Sequence, residues 1–164
     1  MKRTRHAAVL VVSLLAVLPT AACYQGADNT VNTQPASGNA TDFRVGDLLV
    51  QDTTLVAATN GSGRASLIFT VVNAGTTDDS ITSISVGGTA ATLRTAPLLL
   101  PAGASVKVGG DSPHQVLVTG LKTAAGSYAE VSMTFRNAGT TTQQVVVVPA
   151  TGYYAGYGPA AALS

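Results

Sequence analysis

From Phe43 to Ala150 short apolar, β-branched runs alternate with clusters of turn residues. The runs are LLVQDTTLVA (48–57), ASLIFTVVNA (65–74), SITSISVG (80–87), TAATLR (89–94), APLLL (96–100), SVKVGG (105–110), QVLVTGL (115–121), AEVSMTFRNA (129–138) and QQVVVVPA (143–150). Turn signals at this spacing predict an all-β sandwich or barrel, and no stretch carries a capped 3.6-residue apolar period. The clearest alternation sets Val131, Met133 and Phe135 against Ser132, Thr134 and Arg136. Period 2 of this kind marks a strand with one buried face, so Met133 is expected in the core. Gly61-Ser62-Gly63 and Gly109-Gly110 supply positive φ at no steric cost. Asn73-Ala74-Gly75 and Asn137-Ala138-Gly139 end two strands alike, and Pro101-Ala102-Gly103 opens a turn with φ fixed by proline. About 108 residues in one domain suffice for a true core.

The flanks break this pattern. Lys2, Arg3 and Arg5 precede Ala7 to Leu18, a run in which only Ser13 is polar. It is shorter than the roughly 20 apolar residues a spanning helix needs, and a basic start, short apolar core and small residues form a secretory signal peptide, 1–22. Cys23 is the only cysteine, so no intramolecular disulfide exists, and an odd cysteine in an exported chain asks for an explanation. Residues 23–42 are rich in Asn, Thr, Gly, Ala and Pro and bury too little to fold, which predicts a flexible tether. A flexible coil of that length spans about 25 Å. The segment 151–164, TGYYAGYGPAAALS, lacks strand periodicity and is expected to be a flexible C-terminal tail.

The chain carries nine Lys and Arg against eight Asp and Glu. Cleavage before Cys23 removes Lys2, Arg3 and Arg5, leaving six against eight and a net charge of −2. No basic cluster survives, so the electrostatic footprint of nucleic-acid binding is missing, as is a polybasic membrane patch. The sequence holds no P-loop, dinucleotide-binding glycine pattern or zinc-ligand spacing. Asp78-Asp79 sits in a turn, where aspartate bonds to its local backbone.

His114 is the only histidine beyond the first six residues, in GGDSPHQVLVTGLK (109–122). It could be a metal ligand, a catalytic base or a turn residue at a strand entrance. A histidine base needs a nucleophile and an orienting group within hydrogen-bond reach, and no nucleophile-elbow or oxyanion pattern accompanies Asp111-Ser112-Pro113-His114. The chain is therefore expected not to be an enzyme.

Several pieces resemble one family. TVVNAGTTDDSITSISV, LLLPAGASVKVGG, VLVTGLK and VSMTFRNAGTTTQQVVVVPA are similar, in order and spacing, to stretches of PCu(A)C-type periplasmic copper chaperones. The resemblance covers about Leu67 to Ala150 and implies a cupredoxin-like Greek-key β-sandwich. TAAC (20–23) resembles a bacterial lipobox, which implies lipid attachment at Cys23 and location on the extracytoplasmic face of the cell membrane. Two or three acyl chains give stable anchoring. Lipobox, tether and domain together look most like actinobacterial LpqE-like lipoproteins.

The family's copper ligands do not carry over. It binds Cu(I) through an upstream His and Met and a downstream His-x-Met. Counting back from Gly120 puts Gln115 at the His place and Leu117 at the Met place, with His114 one position off. Ser83 to Pro101 contains neither His nor Met, and Cu(I) selects soft thioether and thiolate ligands. His114 and Met133 are the residual candidates, and the preferred reading assigns neither to a metal and expects no cofactor. The expected function is a non-catalytic binding or accessory module with an unidentified envelope protein partner. The alternative is a copper-delivery chaperone using non-standard ligands. A small-ligand carrier would need a cavity between the sheets, on which the sequence is silent.

Overall fold

The structure, a computed structural model, describes residues 40–159. The signal peptide, Cys23, nearly all of the tether and the last five residues of the tail lie outside the described residues. Within them eleven strands, β1 to β11 in chain order, form two packed layers. No helix among the described residues is long and apolar enough to cross a membrane.

The first layer centres on β2 (Leu48–Ala57) and β3 (Ala65–Asn73), which pair antiparallel. β1 (Thr41–Val45) covers the first half of β2. β8 (Ser105–Val108) and β9 (Val116–Val118) share the far edge of β3, one after the other. β6 (Thr92–Leu93) pairs with β9. The second layer holds β4 (Asp79–Val86) between β10 (Tyr128–Phe135) on one side and β5 (Thr89–Ala90) and β7 (Leu98–Leu100) on the other.

β11 (Gly139–Pro149) joins the layers. Its first part pairs with β10 from Gly139 to Val146, and its last three residues then run parallel to the second half of β2, Val147 opposite Leu55. β2 changes neighbours in the same way, from β1 to β11. The change falls at a bulge between Gln51 and Thr54, where Asp52 takes φ 56°, the only non-glycine positive φ among the described residues. An extra residue there bends the strand and re-aims its second half. A second irregularity opposite Thr134 and Phe135 lets Thr82 bulge out of β4 and donate its hydroxyl to the Thr134 carbonyl. Ile81 and Ile84 therefore both face the core despite their odd spacing.

The core is the inner face of both layers: Val50 and Leu55 of β2, Leu67, Phe69 and Val71 of β3, Val131, Met133 and Phe135 of β10, and Val145 and Val147 of β11. The cupredoxin-like sandwich expected from the sequence is the architecture observed. Three details differ. Thr41–Val45 forms an edge strand that begins inside the expected tether. Phe43 and Val45 pack on the core, and the Thr41 hydroxyl donates to the Gln144 carbonyl. TAATLR is not one strand: β5 belongs to the second layer and β6 to the first, and the chain crosses between them at Ala91.

The third difference lies in the segment expected to be a flexible tail, of which residues 151–159 are described. Gly152–Tyr157 forms a 3-10 helix folded against the outer face of the first layer. Tyr154, Tyr157 and Ala150 pack there on Val56, Val146 and Val148 in a second apolar cluster. The cause lies in β11. Four consecutive valines place two on each face, and Val146 and Val148 need a cover of their own.

Candidate functional site

The loop Gly109–Gln115 leaves the edge of β3 at the end of β8 and returns at β9. Gly109 and Gly110 make this path possible. A Cβ on Gly109 would lie 2.3 Å from Ile68 Cγ2 and one on Gly110 2.7 Å from the Tyr157 ring, and both have positive φ. The turn is closed by its own polar groups. The Gly109 amide donates to the His114 carbonyl at 2.9 Å, the His114 amide donates to Ser112 Oγ at 3.1 Å, and Ser112 Oγ donates to the Lys107 carbonyl at 2.6 Å.

This loop is where the resemblance puts the downstream copper ligands. Gln115, at the histidine's place, is 7% exposed. Its Nε2 donates to the carbonyls of Gly110 at 2.9 Å and Ser112 at 2.6 Å, so the side chain staples the turn from inside. His114 is half-buried at the strand entrance, with Nδ1 3.0 Å from the Thr95 hydroxyl. Leu117 lies on β9 opposite Ser66 and Thr92. Met133 is 0% exposed in the middle of β10, between Ile84 of β4 and Thr141 of β11. The single side-chain nitrogen of Gln115 is engaged by two backbone carbonyls, Leu117 carries no donor atom, and the domain's one thioether, Met133, is packed into the core. Among the described residues no three His, Cys, Asp or Glu are grouped to hold a metal ion.

Asp78 and Asp79 reach further than their own turn. Asp79 is buried, and its carboxylate accepts the amides of Ser80 at 2.7 Å, Asn137 at 3.0 Å and Ala138 at 3.0 Å. Asp78 accepts the Ala102 amide at 2.8 Å, and its carbonyl accepts Asn137 Nδ2 at 3.0 Å. The buried Asn73 side chain donates to the carbonyls of Thr77 and Leu100 and accepts the Gly75 amide. The two Asn-Ala-Gly turns and Pro101-Ala102-Gly103 are thus tied together at one end of the sandwich, and these carboxylates are committed to backbone.

A different concavity went unread in the sequence. The 3-10 helix walls a groove of about 280 Å3 on the outer face of the first layer, floored by Ile68 and Thr70 and flanked by Asp52, Lys107, Tyr153 and Tyr157. Tyr153 stacks on Tyr157 with ring centroids 5.8 Å apart, and Tyr154 meets Tyr153 edge-on at 5.1 Å. Tyr153 is 79% exposed. Lys107 lies 6.0 Å from the Tyr157 ring centroid and 3.2 Å from Asp111. The hydrogen bond with Asp111 raises the Lys107 ammonium and lowers the Asp111 carboxyl from their ordinary values. The neighbouring Tyr157 hydroxyl pushes the Tyr153 phenol up from its ordinary value. The triplet of tyrosines was visible in the sequence, and the signal for the face it covers lies in the four valines 145–148, two of which point outward.

No family model and no curated protein matches the sequence. Solved structures do. The copper-bound PCuAC domain from PmoF2 is 23% identical at a TM-score of 0.59, covering 66% of this chain and 97% of that one. The apo PCuAC domain from PmoF1 is 22% identical at 0.60, covering 66% and 98%. The apo PmoF2 PCuAC domain is 21% identical at 0.59, covering 68% and 97%. The likeness extends over nearly the whole of those domains, and the fold is PCuAC-like.

Proposed function

We propose that this chain is an LpqE-like envelope lipoprotein, anchored through Cys23 on the extracytoplasmic face of the membrane. Its PCuAC-like domain has lost the metal site and serves as a non-catalytic binding or accessory module for an envelope protein partner. One observation carries the reading. Gln115, at the histidine's place, binds two carbonyls of its own turn, Leu117 stands at the methionine's place, and Met133, the domain's one thioether, is fully buried in β10. Recruiting Met133 would require pulling it from the core, and losing such a side chain from a core costs about 2–5 kcal/mol. His114 alone offers one hard-to-borderline nitrogen where Cu(I) prefers sulfur.

Titration of the mature domain with Cu(I), Cys23 replaced by alanine, tests this in competition with a chromogenic chelator. The expected result is no stoichiometric site. Stoichiometric binding that survives nanomolar competition and vanishes in His114→Ala would overturn the reading and favour copper delivery through non-standard ligands.

A further inference from the structure

The groove under the C-terminal 3-10 helix has a composition that selects its ligand. One wall is the aromatic stack of Tyr153 and Tyr157, with Tyr153 79% exposed. The rest of the lining is mixed, with Ile68, Phe69 and Val108 beside the polar residues Asp52, Thr70 and Lys107. Asp52 stands at the bulge of β2 with φ 56°, its amide held by the Asp42 carboxylate at 2.8 Å. A non-glycine residue kept in the left-handed region is a feature that clusters at binding sites, and here it sets a carboxylate at the groove's edge. The volume, about 280 Å3, lies just below the roughly 300–1,000 Å3 usual for small-molecule sites, which limits the ligand to a small one.

Each simpler ligand class meets an obstacle. A wholly apolar ligand would strip water from Asp52 and Lys107 without replacing its hydrogen bonds. An anion faces Asp52, with Lys107 already paired to Asp111. A cation on the aromatic stack meets Lys107, 6.0 Å from the Tyr157 ring. What fits is a neutral molecule with a C–H face and a hydroxyl edge. The C–H bonds of such a face are weakly positive and pack on the negative face of an aromatic ring, while the hydroxyls donate to a carboxylate and accept from an ammonium. A pyranose ring has this character.

We propose that the groove between Tyr153, Asp52 and Lys107 is a saccharide-binding site, taking one or two pyranose units of a neutral glycan stacked on Tyr153. The site lies on the outer face of the first layer and does not depend on the fate of the metal-ligand positions. Selectivity would rest on Asp52 and Thr70, and affinity on the stack.

The chain lacks tryptophan and carries five tyrosines, three of them at the groove, so its intrinsic emission reports this site. The mature full chain with Cys23→Ala is titrated with cellotetraose, chitotetraose and maltotetraose while tyrosine emission is followed. A saturable change in the millimolar range or tighter with at least one of the three is expected. Tyr153→Ala is expected to weaken it by about two- to tenfold, and Asp52→Asn, which keeps a residue tolerant of positive φ, to weaken it as well. Tyr128→Ala, which removes an exposed tyrosine outside the groove, should leave it intact. Thermal transitions of all variants are compared, so that unfolding is not mistaken for lost binding. No saturable change with any of the three, or full binding by Tyr153→Ala, overturns the proposal.

Discussion

Met133 is the residue on which two functional readings diverge. It sits at the centre of β10 in phase with Val131 and Phe135, fully buried. A core role depends on volume, whereas a ligand role depends on sulfur. Met133→Leu conserves the volume and is expected to cost less than about 1.5 kcal/mol, while Met133→Ala should cost about 2–5 kcal/mol. Urea unfolding of both variants measures the difference, and equal destabilisation by the two would remove the packing account. The period-2 pattern made this position legible. His114 was also readable, since a Pro-His pair after a diglycine and before an apolar run belongs at a strand entrance, and β9 begins two residues later. The inward role of Gln115 was not readable, because its two carbonyl partners exist only once the loop has closed. The same holds for Asp79, whose partners Asn137 and Ala138 come from the far side of the sequence.

Among the elements, β2 and β3 follow their apolar runs almost residue for residue. The bulge in β2 does not announce itself. The Gln51–Thr54 irregularity arises because β2 must serve β1 and β11 in turn, a tertiary demand that overrides local pattern. The C-terminal helix teaches the opposite lesson, for its signal was present. A strand with one wet face has no use for four valines in a row, and the outward pair, Val146 and Val148, required apolar cover. Tyr154 and Tyr157 follow within eleven residues of Val146. Truncation after Ala150 should therefore uncover Val56, Val146 and Val148. Burying one such side chain fully is worth about 1.5–3 kcal/mol, so a loss of about 2 kcal/mol or more is expected from the three partly covered ones. That lowers the thermal transition by about 4–16 °C, taking about 2–8 °C per kcal/mol across domain sizes. Calorimetry of the truncated chain decides it, and an unchanged transition would mean the tyrosines only rest on the surface.

At the scale of the whole molecule, the proposed anchoring makes a clean prediction about location. Cys23→Ala should move the protein from the membrane fraction to the soluble or secreted fraction, because acyl chains and not charge would hold it there. A variant that stays with the membrane through a high-salt wash would remove lipid attachment as the reason. The order in which the molecule can assemble follows from β11. Its last three residues close the sheet on β2, joining Val147 to Leu55 across most of the domain. Contacts so distant in sequence come late and make folding slow, because loop closure precedes any reward. Until the final strand arrives, the second half of β2 offers an unpaired edge, the feature that invites pairing with another chain. A polypeptide that stops short of Val147 keeps that edge for its lifetime. The domain therefore carries its own completeness check: only a chain finished through its last strand can hide the edge.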